Sequence, residues 1–167
     1  LTEATHLKGL FAQKAIEVNI PHNWDDYYGY RQLTHGNLHG TAIYEKTFTL
    51  DDSQFLISNS SFGKRYFLRF EGVGTYATIT LNGKDFGRHP VGRTTLTLDV
   101  TDALKLGENK LVVKAEHPEM IADMPWVCGG CSSEWGFSEG SQPLGIFRPV
   151  VLEATDEIRI EPFGVHI

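Results

Sequence analysis

Cysteine is nearly absent from this sequence. The two in 167 residues, Cys128 and Cys131, are too few for the framework of four or more that staples small secreted domains, so folding has to rest on an apolar core. A chain of this length can build one, burying roughly 70% of its extended surface. Long apolar runs are missing as well: nothing approaches the roughly 20 uninterrupted apolar residues of a membrane helix, and no membrane partner is expected. Basic residues are outnumbered, 15 Lys and Arg against 21 Asp and Glu for a net charge of −6. With no basic patch to neutralise phosphates, nucleic acid is excluded as a partner. A sustained 3.6-residue apolar stripe is lacking too, and no glycine-rich segment leads from a strand into a helix, which removes nucleotide-binding loops. No charged leader followed by an apolar stretch opens the chain. Because Leu1 is not a natural start, the compartment stays open, with an exported location expected ahead of a cytoplasmic one.

What the sequence does contain is a period of two. Over residues 41–50, Tyr44, Phe48 and Leu50 fall on one face and Glu45, Thr47 and Thr49 on the other, as in a half-buried strand. Residues 65–71, 75–82, 94–100, 109–117, 150–155 and 157–162 read the same way. Asn82 and Gly83 tolerate the positive φ angles of a type I′ turn and predict a hairpin there. Residues 101–106 can form one short helical turn, capped by Thr101 or Asp102 and stopped by Gly107. Seven or more strands without intervening helices predict one all-β domain over residues 1–167, an antiparallel sandwich or barrel.

Three stretches break the pattern: 23–40, 52–63 and 117–144. The last is long for a compact domain unless it is functional or packs on something else. It holds His117-Pro118-Glu119 and the Cys128/Cys131 pair, which together resemble a zinc deaminase signature. Only eight residues separate Glu119 from Cys128, too few for the strand and helix that present such ligands, and a lone C-x-x-C lacks the second pair of a closed zinc site. Nor does a helix former follow Cys131, as a thioredoxin-like site requires. The expectation is two loop thiols and no metal. Glu134 and Glu139 are likewise disfavoured as an acid and nucleophile pair, since one glycine-rich loop cannot hold two carboxyls at the separation that glycoside hydrolysis needs. The loop aromatics Tyr27, Tyr28, Tyr30, Trp126, Trp135 and Phe137 suit either stacking on a sugar or packing beneath a long loop.

Six short segments, in order, resemble one family. IPHNW (residues 20–24), GTAIYEKTF (40–48), KRYFLRFEG (64–72), ATITLNGKDFG (77–87), DVTDALKLGEN (99–109) and GIFRPV (145–150) are similar to the motifs of the amino-terminal sugar-binding domain of glycoside hydrolase family 2, which includes β-galactosidases, β-glucuronidases and β-mannosidases. The resemblance covers nearly the whole chain. It implies a jelly-roll sandwich of the galactose-binding-like kind, followed in the parent protein by an immunoglobulin-like domain and by a barrel that carries both catalytic glutamates. Residues 157–167 resemble the crossing toward that second domain. A (β/α)₈ barrel takes about 250 residues, so no catalytic residue is expected here, and no cofactor is implied.

By the same resemblance, an acid six positions before the glycine of GIFRPV reaches the substrate. Counting back from Gly145 gives Glu139, whose carboxylate would accept hydrogen bonds from sugar hydroxyls; Glu134 and Trp135 are the neighbouring candidates. Carbohydrate is therefore the expected partner, together with the other domains of the same chain. A free-standing carbohydrate-binding module or lectin, using the aromatic loops directly, remains the alternative.

Overall fold

The computed structural model describes residues 2–8, 15–25, 39–51, 64–121, 131–132, 143–161 and 163–165. Most of the three irregular stretches, including all of 52–63, lies outside the described residues.

The described chain is almost entirely antiparallel β structure. Strands β1 (Thr2–Lys8), β2 (Ile16–Asn19), β3 (Gly40–Leu50), β5 (Val73–Leu81), β6 (Lys84–Gly92) and β8 (Gly107–His117) form one sheet in the order β2-β1-β3-β8-β5-β6. A second sheet has the order β11-β4-β7, built from β4 (Lys64–Phe70), β7 (Leu96–Asp99) and β11 (Val150–Asp156). Between them lies the core, and the alternating residues of the sequence face it: Tyr44, Phe70, Ala77, Ile79, Leu81, Leu111, Val113 and Ala115 are buried, with Leu96, Leu98, Val150 and Leu152 packed against them. The expected all-β sandwich is the fold observed.

Asn82 and Gly83 have φ of 52° and 84°, both in the left-handed region that a type I′ turn demands. Asn82 also anchors its hairpin across the molecule. Its Nδ2 donates to Asn109 Oδ1 at 2.7 Å and to the Ala103 carbonyl at 2.8 Å, while its Oδ1 accepts from Lys110 N at 2.9 Å.

Three expectations need correction. Residues 157–161 are not a strand. They keep the period of two but invert its polarity: Ile158 and Ile160 are 83% and 73% exposed, while the Arg159 guanidinium lies 3.2 Å from the centre of the Phe67 ring on the outer face of the smaller sheet. A cation over an aromatic face replaces ladder bonding there. The helical turn shrinks to a 3₁₀ turn, Thr101–Ala103, whose cap position is Val100, without a side-chain capping bond. The acceptor is Asp99, whose Oδ1 takes the Thr101 N–H at 3.0 Å and its hydroxyl at 2.6 Å. Cys131, read from the sequence as a loop thiol, belongs to a two-residue ladder in which β10 (Cys131–Ser132) pairs with β9 (Met120–Ile121). That pairing depends on a partner ten positions away, which local composition does not reveal.

Strands β1 and β2 had no distinct signal, and β6 was marked only by the Asn82-Gly83 hairpin that leads into it. Gly87 and Pro90 interrupt the alternation in β6, and two register shifts mark its pairing with β5, as bulged strands show.

Candidate functional site

The IPHNW and GIFRPV segments meet at one end of the sandwich. His22 N donates to the Ile146 carbonyl at 2.7 Å and Trp24 N to the Leu144 carbonyl at 3.3 Å, so residues 22–24 run against 144–146 as a short main-chain ladder. Asn23 Oδ1 lies between them, accepting from Leu144 N and from Asp25 N, each at 3.0 Å. His22 Nδ1 and the Tyr44 hydroxyl are 2.8 Å apart. Gly145 has φ of +92° and no room for a side chain, because a Cβ there would overlap the Tyr44 hydroxyl and press on Trp24. On its other side, Gly74 N donates to the Gly145 carbonyl at 2.8 Å. Residues 143–146 are buried throughout.

Beside this junction sits a buried polar group. Asp25, Thr75 and His117 are 6%, 2% and 1% exposed. Thr75 Oγ1 and His117 Nδ1 share a hydrogen bond of 2.8 Å, and the His39 ring stacks on His117 at 5.6 Å between centroids. Thr75 holds φ of 52°, an uncommon conformation for a β-branched residue. Burial pushes the His117 imidazole down to about 4, the His39 charge acts in the same direction, and Asp25 opposes both. Near neutral pH the ring is thus uncharged and can donate on one nitrogen and accept on the other. Asp25 and His39 flank residues 26–38; His117 and Leu144 stand at the two ends of the 118–143 region. The described residues that border 26–38 therefore stand beside those that border 118–143.

The sequence profile of the glycosyl hydrolase 2 galactose-binding domain-like family matches residues 7–124. The chain belongs to that family. A β-glucuronidase of Bacteroides fragilis is 32% identical over 146 residues, which is 87% of this chain and 18% of the relative. A β-galactosidase of Bacteroides ovatus is 26% identical over 157 residues, 90% of this chain and 16% of the relative. Among solved structures, a β-glucuronidase of Bacteroides uniformis superposes with a TM-score of 0.65 at 21% identity, over 98% of this chain and 18% of that one, a likeness of fold. The chain spans less than a fifth of the length of the curated relatives it matches.

For this galactose-binding-like domain, the site residues expected from sequence, Glu134, Trp135 and Glu139, lie outside the described residues, as do Cys128 and the aromatics Tyr27, Tyr28, Tyr30, Trp126 and Phe137. What the structure does place is Pro143 and Leu144, which follow them in sequence and are buried. Asn23, Asp25, His39, Thr75 and His117 were not assigned roles from sequence. Asn23 sat inside a recognised motif and His117 inside the H-x-E weighed as part of a metal signature; Thr75 carried no local signal, because its partner is 42 positions away. His117 Nδ1 faces Thr75. Among the described residues no three His, Cys, Asp or Glu side chains group as metal ligands.

Proposed function

We propose that this chain is the amino-terminal, non-catalytic sugar-binding domain of a family 2 exo-glycosidase, with residues 157–167 leading into an immunoglobulin-like domain and the catalytic carboxylates on a barrel farther along the parent chain. The observation that carries this reading is one of length: nearly all of this chain aligns with less than a fifth of a β-glucuronidase and of a β-galactosidase. A lectin acting alone has no such counterpart in that comparison.

Within the parent enzyme the domain completes the substrate site from one side. Glu139 accepts hydrogen bonds from sugar hydroxyls, at about 1.5–3 kcal/mol for each bond to a charged acceptor, and Glu134 and Trp135 stand beside it in sequence. The buried junction of residues 22–25 with 144–146 supports this role, since contact residues need a rigid base. The experiment is an assay of aryl β-glucuronides, β-galactosides and β-mannosides with the 167-residue chain and with the intact parent. Turnover is expected from the parent alone, and Glu139→Ala in the parent is expected to lower kcat/KM about 10-fold or more with the fold intact. Turnover by the short chain that is lost on mutating Glu134 or Glu139 would sink the proposal.

A further inference from the structure

Six large apolar side chains are exposed among the described residues, and four of them lie close together in sequence: Ile158, Ile160, Phe163 and Val165, at 83%, 73%, 80% and 65% exposure. Single exposed apolar residues are ordinary, whereas a cluster marks a surface that something covers. The chain itself holds this cluster outward. The Arg159 guanidinium lies 3.2 Å from the centre of the Phe67 ring, with Nη1 3.9 Å from Glu153 Oε2. The charged residue is thus turned onto the outer face of the smaller sheet, and its apolar neighbours Ile158 and Ile160 are left facing away. A turn follows, in which Gly164 N donates to the Glu161 carbonyl at 2.9 Å and Phe163 holds φ of 63°. Beside Arg159 the surface stays open. Clefts of about 540 and 340 Å³ are both lined by Phe67 and Glu161, the larger reaching Ile160 and the smaller Phe163.

Resting on the reading that residues 157–167 lead into a further domain of the parent chain, we infer that residues 158–161 and 163–165, with the outer face of the smaller sheet behind them, are the seat on which that domain docks through an apolar surface of its own. Size decides between a tethered partner and a free one. Four such side chains expose a few hundred Å² together, less than the roughly 800 Å² that each side of a stable complex between separate chains buries. A domain joined to this one through the same segment is presented at an effective concentration of about millimolar, and interfaces between domains of one chain hold with as little as about 600 Å² in total. A second copy of this chain has no such tether.

The test labels side chains with hydroxyl radicals and reads Ile158, Ile160 and Phe163 by mass spectrometry. It compares the intact parent, the 167-residue chain, and the parent carrying Ile160→Asp, Phe163→Asp or Ile16→Asp. Ile16 is the control, an apolar residue 46% exposed on β2 at the edge of the larger sheet. Aspartate tolerates the left-handed φ of position 163, so that variant introduces charge without backbone strain. Labelling of all three side chains should be about 5-fold lower in the parent than in the 167-residue chain, as burial of such exposed groups requires. Ile160→Asp and Phe163→Asp should return Ile158 to the level of the 167-residue chain and lower the melting temperature of the parent, because each places a charge in the covered patch. Ile16→Asp should do neither. If the 167-residue chain does not fold, the contrast with Ile16→Asp within the parent decides the matter.

Full labelling of the three side chains in an active parent overturns the docking surface, as does protection that survives both aspartates. Equal protection in the parent and in the 167-residue chain, with the latter sedimenting as a dimer, assigns the face to a second copy and overturns it as well. A parent with no domain after residue 167, or one without glycosidase turnover, instead overturns the underlying reading of the whole protein.

Discussion

The imidazole of His22 and the phenol of Tyr44 meet edge to face, with Nδ1 2.8 Å from the hydroxyl and the ring planes at 70°, at the point where a side chain on Gly145 would have to sit. The hydroxyl thus joins strand β3 to the IPHNW segment and occupies the space that the glycine of GIFRPV leaves. Gly145→Ala is expected to destabilise the domain by about 3 kcal/mol, combining left-handed backbone strain with overpacking. Thermal unfolding should shift by about 10 °C. Adding Tyr44→Phe, which removes the overlapped oxygen, should recover part of that loss; strict additivity of the two would show that the overlap is not the cause.

Asn109 is completely buried, and its amide is a hub. Nδ2 donates to the Lys105 and Gly107 carbonyls at 2.8 and 3.0 Å, while Oδ1 accepts from Lys105 N at 3.0 Å and from Asn82 Nδ2 at 2.7 Å. Asn109→Ala removes all four bonds and should cost about 3 kcal/mol, read as a lower urea midpoint. Asn109→Asp sets a carboxylate oxygen against the Lys105 and Gly107 carbonyls at a fully buried position and should cost at least as much. A loss below about 1 kcal/mol in either variant would contradict this assignment.

His117 predicts a pH dependence with a definite sign. Its folded pKa, about 4, lies below the ordinary 6.5, so between those values the unfolded chain binds more protons. Stability from this group is fully present above pH 6.5, falls as pH drops through the window, and is exhausted near pH 4, with a total on the order of 3 kcal/mol. Carboxylates contribute their own acid dependence. The measurement is therefore the difference between the native chain and His117→Asn in urea midpoint from pH 4 to 7. Parallel curves would rule His117 out as a source.

Replacing both Cys128 and Cys131 by serine should shift the melting temperature by only a few degrees, about 1 kcal/mol. The core is supplied by the two sheets, and the β9–β10 ladder that includes Cys131 uses main-chain atoms. Stoichiometric zinc by elemental analysis, or failure to fold, would refute this.

The sequence by itself determined which residues share a face of each strand. A side-chain period of two is set by the chain's own geometry, so Tyr44, Ile79 and Leu81 could be placed before any partner strand was known. The turn at Asn82-Gly83 was legible for the same reason, because positive φ is a local property. The short motifs IPHNW and GIFRPV pointed to a family, and counting back from Gly145 pointed to Glu139, which lies outside the described residues. Tertiary structure alone decided what those motifs touch. That Asn23 reaches Leu144 over 121 positions, that Thr75 meets His117, and that Arg159 lies over Phe67 while Ile158 and Ile160 face outward could not be read locally. Periodicity says which face a residue presents; the packing of the two sheets determines what lies opposite it.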